Sequence, residues 1–142
     1  MTNVTITDNT SSTSSSAYYG GGGVHLRHPV NMTIKNSIIW NNTSPQIKMH
    51  NDDNLAMTLS VSYSDVQGGS SGVVEDQDIN TITWSNNIDS DPLFVDASSD
   101  NYSLLDYSPA IGAGTATGAP DTDIEGNPRP DPEGSNPDMG AY

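Results

Sequence analysis

The sequence predicts an all-β solenoid, a stack of short strands wound into successive coils, and three observations carry that expectation. The segment Asn31–Ile38 (NMTIKNSI) repeats in Ala56–Tyr63 (AMTLSVSY) at a shift of 25 residues, which puts Met32 on Met57, Thr33 on Thr58, Ile34 on Leu59 and Ser37 on Ser62. A repeat of this length, made of β-forming residues without helical spacing, means stacked turns of backbone that share a core between neighbours. Apolar residues make up only 32% of the chain, with a single Phe. A compact sandwich usually needs more, whereas a coil buries only a thin apolar stripe. Finally, 46 of the 142 residues are Ser, Thr or Asn, whose short side chains hydrogen-bond to local backbone and suit tight bends. The length is that of one domain.

In chain order, Asn3–Asn9 (NVTITDN) alternates apolar and polar, a half-buried strand with Val4 and Ile6 inward. It aligns with Asn36–Asn42 (NSIIWNN) at a shift of 33, eight more than the other repeat, and residues 10–17 (TSSTSSSA) are read as an eight-residue loop inserted at a corner. Gly20–Gly23 is followed by neither Lys-Ser/Thr nor a helix, so it reads as a sharp corner where backbones approach closely and not as a phosphate cradle. Val24–His28 (VHLRH) then pairs by position with Ile47–His50 (IKMH), and the polar turn Asn51–Asn54 leads to the next strand. Each coil therefore holds three short strands. After Tyr63 the pattern weakens, with a turn at Val66–Gly69 and further strands at Val73-Val74 and Ile79–Trp84. Residues 1–85 are read as the coils. From Asn86 the chain is rich in Pro, Gly and Asp, and residues 86–142 are expected to form an irregular cap packed on the last coil, because the end of such a stack exposes unpaired strand edges.

Charge and composition exclude several classes of function. Four Lys and Arg stand against eighteen Asp and Glu, a formal charge of −14, which repels a phosphate backbone or an anionic membrane, so nucleic acid is not an expected partner. No apolar run approaches the length of a membrane span, and Met1-Thr2-Asn3 opens without the charged and apolar regions of a signal peptide. With no Cys there is no disulfide framework, thiolate metal site or thiol nucleophile. Low hydrophobicity with high charge also marks disordered chains, but here the aliphatics are clustered and periodic.

The tail carries a specific resemblance. Asp91–Asp96 (DPLFVD), Asn101–Leu104 (NYSL), Ser108–Gly114 (SPAIGAG), Asp123–Pro130 (DIEGNPRP) and Asp138–Tyr142 (DMGAY) follow one another in the order seen in the C-terminal region of bacterial right-handed parallel β-helix proteins of the pectin-lyase-like superfamily. NSIIWNN and Tyr63–Gly69 (YSDVQGG) are similar to that pattern's last coils, although the family commonly has Asp where this chain has Gly112. The resemblance implies an all-β, right-handed single-stranded parallel β-helix of about three to four coils with a loop-rich C-terminal cap. It also implies a secreted or cell-surface bacterial protein, usually longer than this chain, whose coils begin before the portion seen here. An open N-terminal coil with Val4 and Ile6 at its edge is expected to self-associate.

Candidate chemistry is sparse. Trp40, Tyr63 and Trp84 recur on or near the strands as stacking platforms for sugar rings, with core packing as the alternative. Asp121, Asp123 and Glu125, at alternate positions before Gly126, resemble the first half of a calcium loop, although the twelfth position is Pro132. Calcium is thus the one candidate cofactor, with turn carboxylates bonded to backbone amides as the alternative. Asp8, Asp65, His25, His28, His50, Lys35, Lys48 and Arg27 form no recognisable catalytic motif, and the positions near Arg27 and His50 are read as solvated outer faces. The expected function is therefore a structural or carbohydrate-binding module without catalysis of its own, the alternative being a fragment of a polysaccharide lyase or glycoside hydrolase.

Overall fold

The computed structural model describes residues 1–11, 21–27, 29–43, 45–51 and 54–142. Most of the insertion expected at residues 10–17 and the His28 end of the second strand lie outside them. The protein is all-β. Its strands in chain order are β1 (Thr5–Thr7), β2 (Val24–Arg27), β3 (Asn31–Lys35), β4 (Ile38–Trp40), β5 (Ile47–His50), β6 (Thr58–Ser62), β7 (Asp65–Val66), β8 (Val73–Glu75), β9 (Thr81–Ser85), β10 (Phe94–Asp96) and β11 (Asn101–Leu104). The first nine are visited in rotation by three parallel sheets, ordered β1-β4-β7, β2-β5-β8 and β3-β6-β9.

Register follows the sequence repeats in two cases and departs from them in one. Thr5 pairs with Ile38 and Ile6 with Ile39, the shift of 33 read from the sequence. Val24 through Arg27 pair with Ile47 through His50 as position alone predicts. The third pair differs: Asn31 stands beside Thr58 and Met32 beside Leu59, an offset of 27 and not 25. The corners explain the difference. Asn3, Asn36, Tyr63 and Asn86 all have positive φ, between 48° and 54°, and Asn36 and Tyr63 are themselves 27 residues apart. The left-handed bend sets the layer spacing, and Asn tolerates it better than most side chains. Because side chains alternate with period two, an error of two residues leaves the inward set unchanged.

A ladder of side chains braces the same corner. The Val4 amide donates to Ser37 Oγ (3.3 Å), the Ser37 amide to Ser64 Oγ (3.1 Å) and the Ser64 amide to Asn87 Oδ1 (3.0 Å). Each bond satisfies a buried or half-buried backbone donor with a side chain from a neighbouring strand or corner. The glycine corner is also as expected: the Gly22 amide donates to Thr43 O at 2.9 Å, and a Cβ on Gly22 would lie 2.4 Å from Thr43 backbone atoms.

The inward residues of all three sheets meet in one core that includes Ile34, Leu59 and Val61, Ile39 and Val66, and Leu26, Ile47 and Met49. A second cluster forms on the outer face of the β1-β4-β7 sheet, where Ile38 packs with Ala110 and Met139 from the tail. The tail itself holds the antiparallel β10-β11 hairpin and then mostly turns. It runs back along this flank: the Gly140 amide donates to Asn36 O (2.8 Å), the Ala141 amide to Thr5 Oγ1 (3.1 Å) and Asn3 Nδ2 to Asp138 O (3.1 Å). A Cβ on Gly140 would lie 2.9 Å from Ile38 Cδ1, so this seam is closed at the limit of contact. The expectation of a cap over the last coil did not include this placement. At the β8 and β9 end, Val74, Ile79 and Ile82 remain 36–40% exposed.

Candidate functional site

Alternation along β4 decides where Trp40 goes. Ile39 points into the core, so Ile38 and Trp40 point outward to the tail, and Trp40 packs at the edge of the second cluster with Tyr63 and Phe94. There it lines a cleft of about 290 Å³ whose other walls include Asp8, Asn41, Asp91 and Phe94. Aromatic faces beside carboxylate and amide oxygens offer stacking surface together with acceptors for hydroxyl groups.

The three candidate aromatics are not brought together. Tyr63 sits in the left-handed corner and packs on the same outer cluster as Trp40. Trp84 belongs to the inward column Ile34–Val61–Trp84 and packs on the main core from the last strand of its sheet. Two of the rings share the outer flank, and Trp84 faces inward, the core packing given as its alternative.

The acidic turn takes the form given as the alternative to a calcium loop, with a carboxylate bonded to backbone amides. Asp123 Oδ1 accepts the Glu125 and Asn127 amides, each at 2.8 Å, and its Oδ2 accepts Asn127 Nδ2 at 2.8 Å. Hydrogen bonds from the Asn127 side chain and neighbouring amides hold its carboxyl below the usual range. Among the described residues no group of three or more His, Asp or Glu side chains is placed to hold a metal ion. The arrangement of Asp121, Asp123 and Glu125 is that of a turn closed by its own carboxylate.

A charged cluster on the β2-β5-β8 sheet was not singled out from the sequence. Arg27 is exposed, as expected of a solvated face, but His50 is 4% exposed and Lys48 5%, which corrects that expectation at His50. Lys48 Nζ donates to Asp76 Oδ1, and His50 Nδ1 hydrogen-bonds Asp76 Oδ2. Burial pulls the Asp76 carboxyl up, but the bonds from Lys48 and His50 outweigh it and leave it below its ordinary value. His25 stands over His50 with ring centroids 6.2 Å apart. Partial burial, then the charges of His50, Arg27 and Lys48, push His25 down from 6.5. The signal for Asp76 lay in the register: Met49 pairs with Glu75, so the next position, Asp76, falls beside His50.

Asp65 is the opposite case. It occupies the outward face of β7, paired with Ile38 on one side and bridged to Ile88 on the other, and it is fully buried. Its Oδ1 accepts the Ser90 amide at 3.2 Å, while Oδ2 has no partner among the described residues. Burial pushes its pKa up to about 7; the Ser90 bond opposes this, and the charges of Asp89 and Asp91 add to it.

Comparison with models of protein families, with curated proteins and with solved structures gives no match.

Proposed function

We propose that this chain is the C-terminal portion of a right-handed parallel β-helix of the pectin-lyase-like type, serving as a structural and carbohydrate-binding module of a secreted or surface-associated bacterial protein. The rotation of nine strands through three parallel sheets supports the architecture, and the ordered tail motifs support the family. The observation that carries the binding function is the Trp40 cleft, where an aromatic face lies beside Asp8, Asn41 and Asp91. A neutral sugar ring suits it, since the net charge of −14 repels anionic glycans at long range.

Glycan-array screening followed by calorimetry on the best hit tests the reading. Trp40→Ala is expected to weaken binding about tenfold or more, in line with roughly 1.5 kcal/mol for a stacking contact. Equal binding by the variant, or no glycan bound at all, overturns it.

A second reading, catalysis on a polysaccharide, is favoured by one observation, the grouping of His25 with the Lys48–Asp76–His50 set. Release of reducing ends or unsaturated products from a polysaccharide panel, lost in His25→Ala, would establish it in place of the first. Self-association through the N-terminal edge strands belongs to the same proposal, and light scattering that returns a strict monomer across concentration rejects that part.

A further inference from the structure

We propose that Asp65 is a proton-operated latch: protonated, it holds the connection Ile88–Leu93 against β7, and ionised, it releases that connection. The geometry supplies each part. The carboxyl is fully buried between Ile38 and Ile88, with one oxygen on the Ser90 amide and the other without a partner among the described residues. The charged groups bearing on it are Asp89 and Asp91, both on that connection, and β4 presents only Ile38 to it. Neither acid is free to swing away at no cost. Asp89 Oδ1 accepts the Gly68 amide and Asp91 Oδ1 the Leu93 amide, each at 3.0 Å. A neutral Asp65 keeps its bond to Ser90 and adds no charge. An ionised one places a buried negative charge beside two exposed ones, Asp89 and Asp91, with an oxygen that only water can satisfy.

The connection is otherwise fastened at its near end by Ile88 amide to Ser64 O (2.9 Å) and Val66 amide to Ile88 O (3.0 Å), and at its far end by Leu105 amide to Leu93 O (2.9 Å) and Ser108 Oγ to Pro92 O (2.6 Å). The stretch that Asp65 holds by itself is therefore the one around Ser90. Its far end carries Asp91 and Leu93, which wall the Trp40 cleft. Opening hydrates Asp65 and returns it to an ordinary carboxylate. The closed form, with its pKa near 7 against 3.8, binds the extra proton, so closure is favoured in acid. Each pH unit between those two values therefore favours opening about tenfold, and above the upper one the effect is complete. The latch stands independently of any glycan, because its readout is the protein itself.

Amide exchange at Ser90, measured in the wild type and in Asp65→Asn at each pH, tests it. The ratio of the two rates cancels the intrinsic pH dependence of exchange. The ratio is expected to rise up to about tenfold per pH unit from pH 5 and to level above pH 7. A flat ratio overturns the latch. Carbon-13 titration of the Asp65 carboxyl in the wild type gives a decision even if the variant does not fold. A midpoint near 7 supports the latch, and one in the ordinary carboxylate range ends it.

Discussion

Asp65 and Asp76 lie at or beside neighbouring outer strands, and the fold treats the same side chain in opposite ways. Asp76, just past β8, loses part of its hydration but gains a lysine and a histidine that are themselves buried, so its carboxylate is held below the usual range. Asp65, on β7, loses all contact with solvent and gains one backbone amide and two carboxylate neighbours, so its carboxyl is pushed up to about 7. Burial alone does not decide the charge state of a carboxyl. What decides it is whether donors and countercharges replace the water that was removed. The consequence for pH is a difference in sign. The Asp76 contribution is present above the unfolded carboxylate value and is lost as pH falls through the lowered folded value. The Asp65 contribution is present below the unfolded value of 3.8 and is lost as pH rises towards 7.

The largest test of this contrast removes the countercharge. Asp76→Asn leaves Lys48 buried without an anion and is expected to cost about 3–5 kcal/mol in urea unfolding at pH 7. A loss under ~1 kcal/mol would mean that the cluster relaxes into water and that Asp76 is not its keystone.

The next acts on the other acid through its neighbour. Ile38 is 1% exposed, packs on Ala110 and Met139, and stands beside Asp65 in the ladder. Ile38→Ala is expected to cost about 2–4 kcal/mol by the cavity it leaves. It is also expected to lower the Asp65 titration midpoint, because water entering the cavity restores hydration. A midpoint unchanged in a folded variant would mean that the hole stays dry.

How much of this was legible in the sequence follows from what each signal physically encodes. The offset of 33 and the Val24–Ile47 pairing were readable because like residues stack in columns and polar corners recur with them. The 25-residue shift misplaced one register because it matched Met-Thr to Met-Thr, while the ladder is set by the corner at Asn36 and Tyr63, where one residue is Asn and the other is not. Two aliphatics in succession, Ile38 and Ile39, already imply that both faces of β4 are covered. What covers the outer face depends on where Ala110 and Met139 return, a contact some 70 to 100 residues away in the chain that no local pattern contains. The Lys48–Asp76–His50 cluster was missed for the same reason. A lysine and a histidine alternating with apolar residues look like an exposed face until the register supplies Asp76. Trp84 looked equivalent to Trp40, but alternation from Val61 turns it inward.

The smallest expected effect separates the two causes that raise Asp65. Asp91→Asn removes one like charge and keeps the Oδ1 acceptor for the Leu93 amide, so the connection retains its shape. If repulsion dominated, this variant would move the Asp65 midpoint as far as Ile38→Ala does. Burial is the larger cause and the two flanking charges share the remainder, so a slight downward shift is expected, smaller than that of the cavity variant, with stability near neutral pH little changed. The carboxyl titration that reads the latch orders the two variants directly. The reverse order would make Asp65 a member of a charge-coupled set of three acids and not a group governed by its burial, and added salt would then lower its midpoint further, because screening acts on repulsion between charges and not on lost hydration.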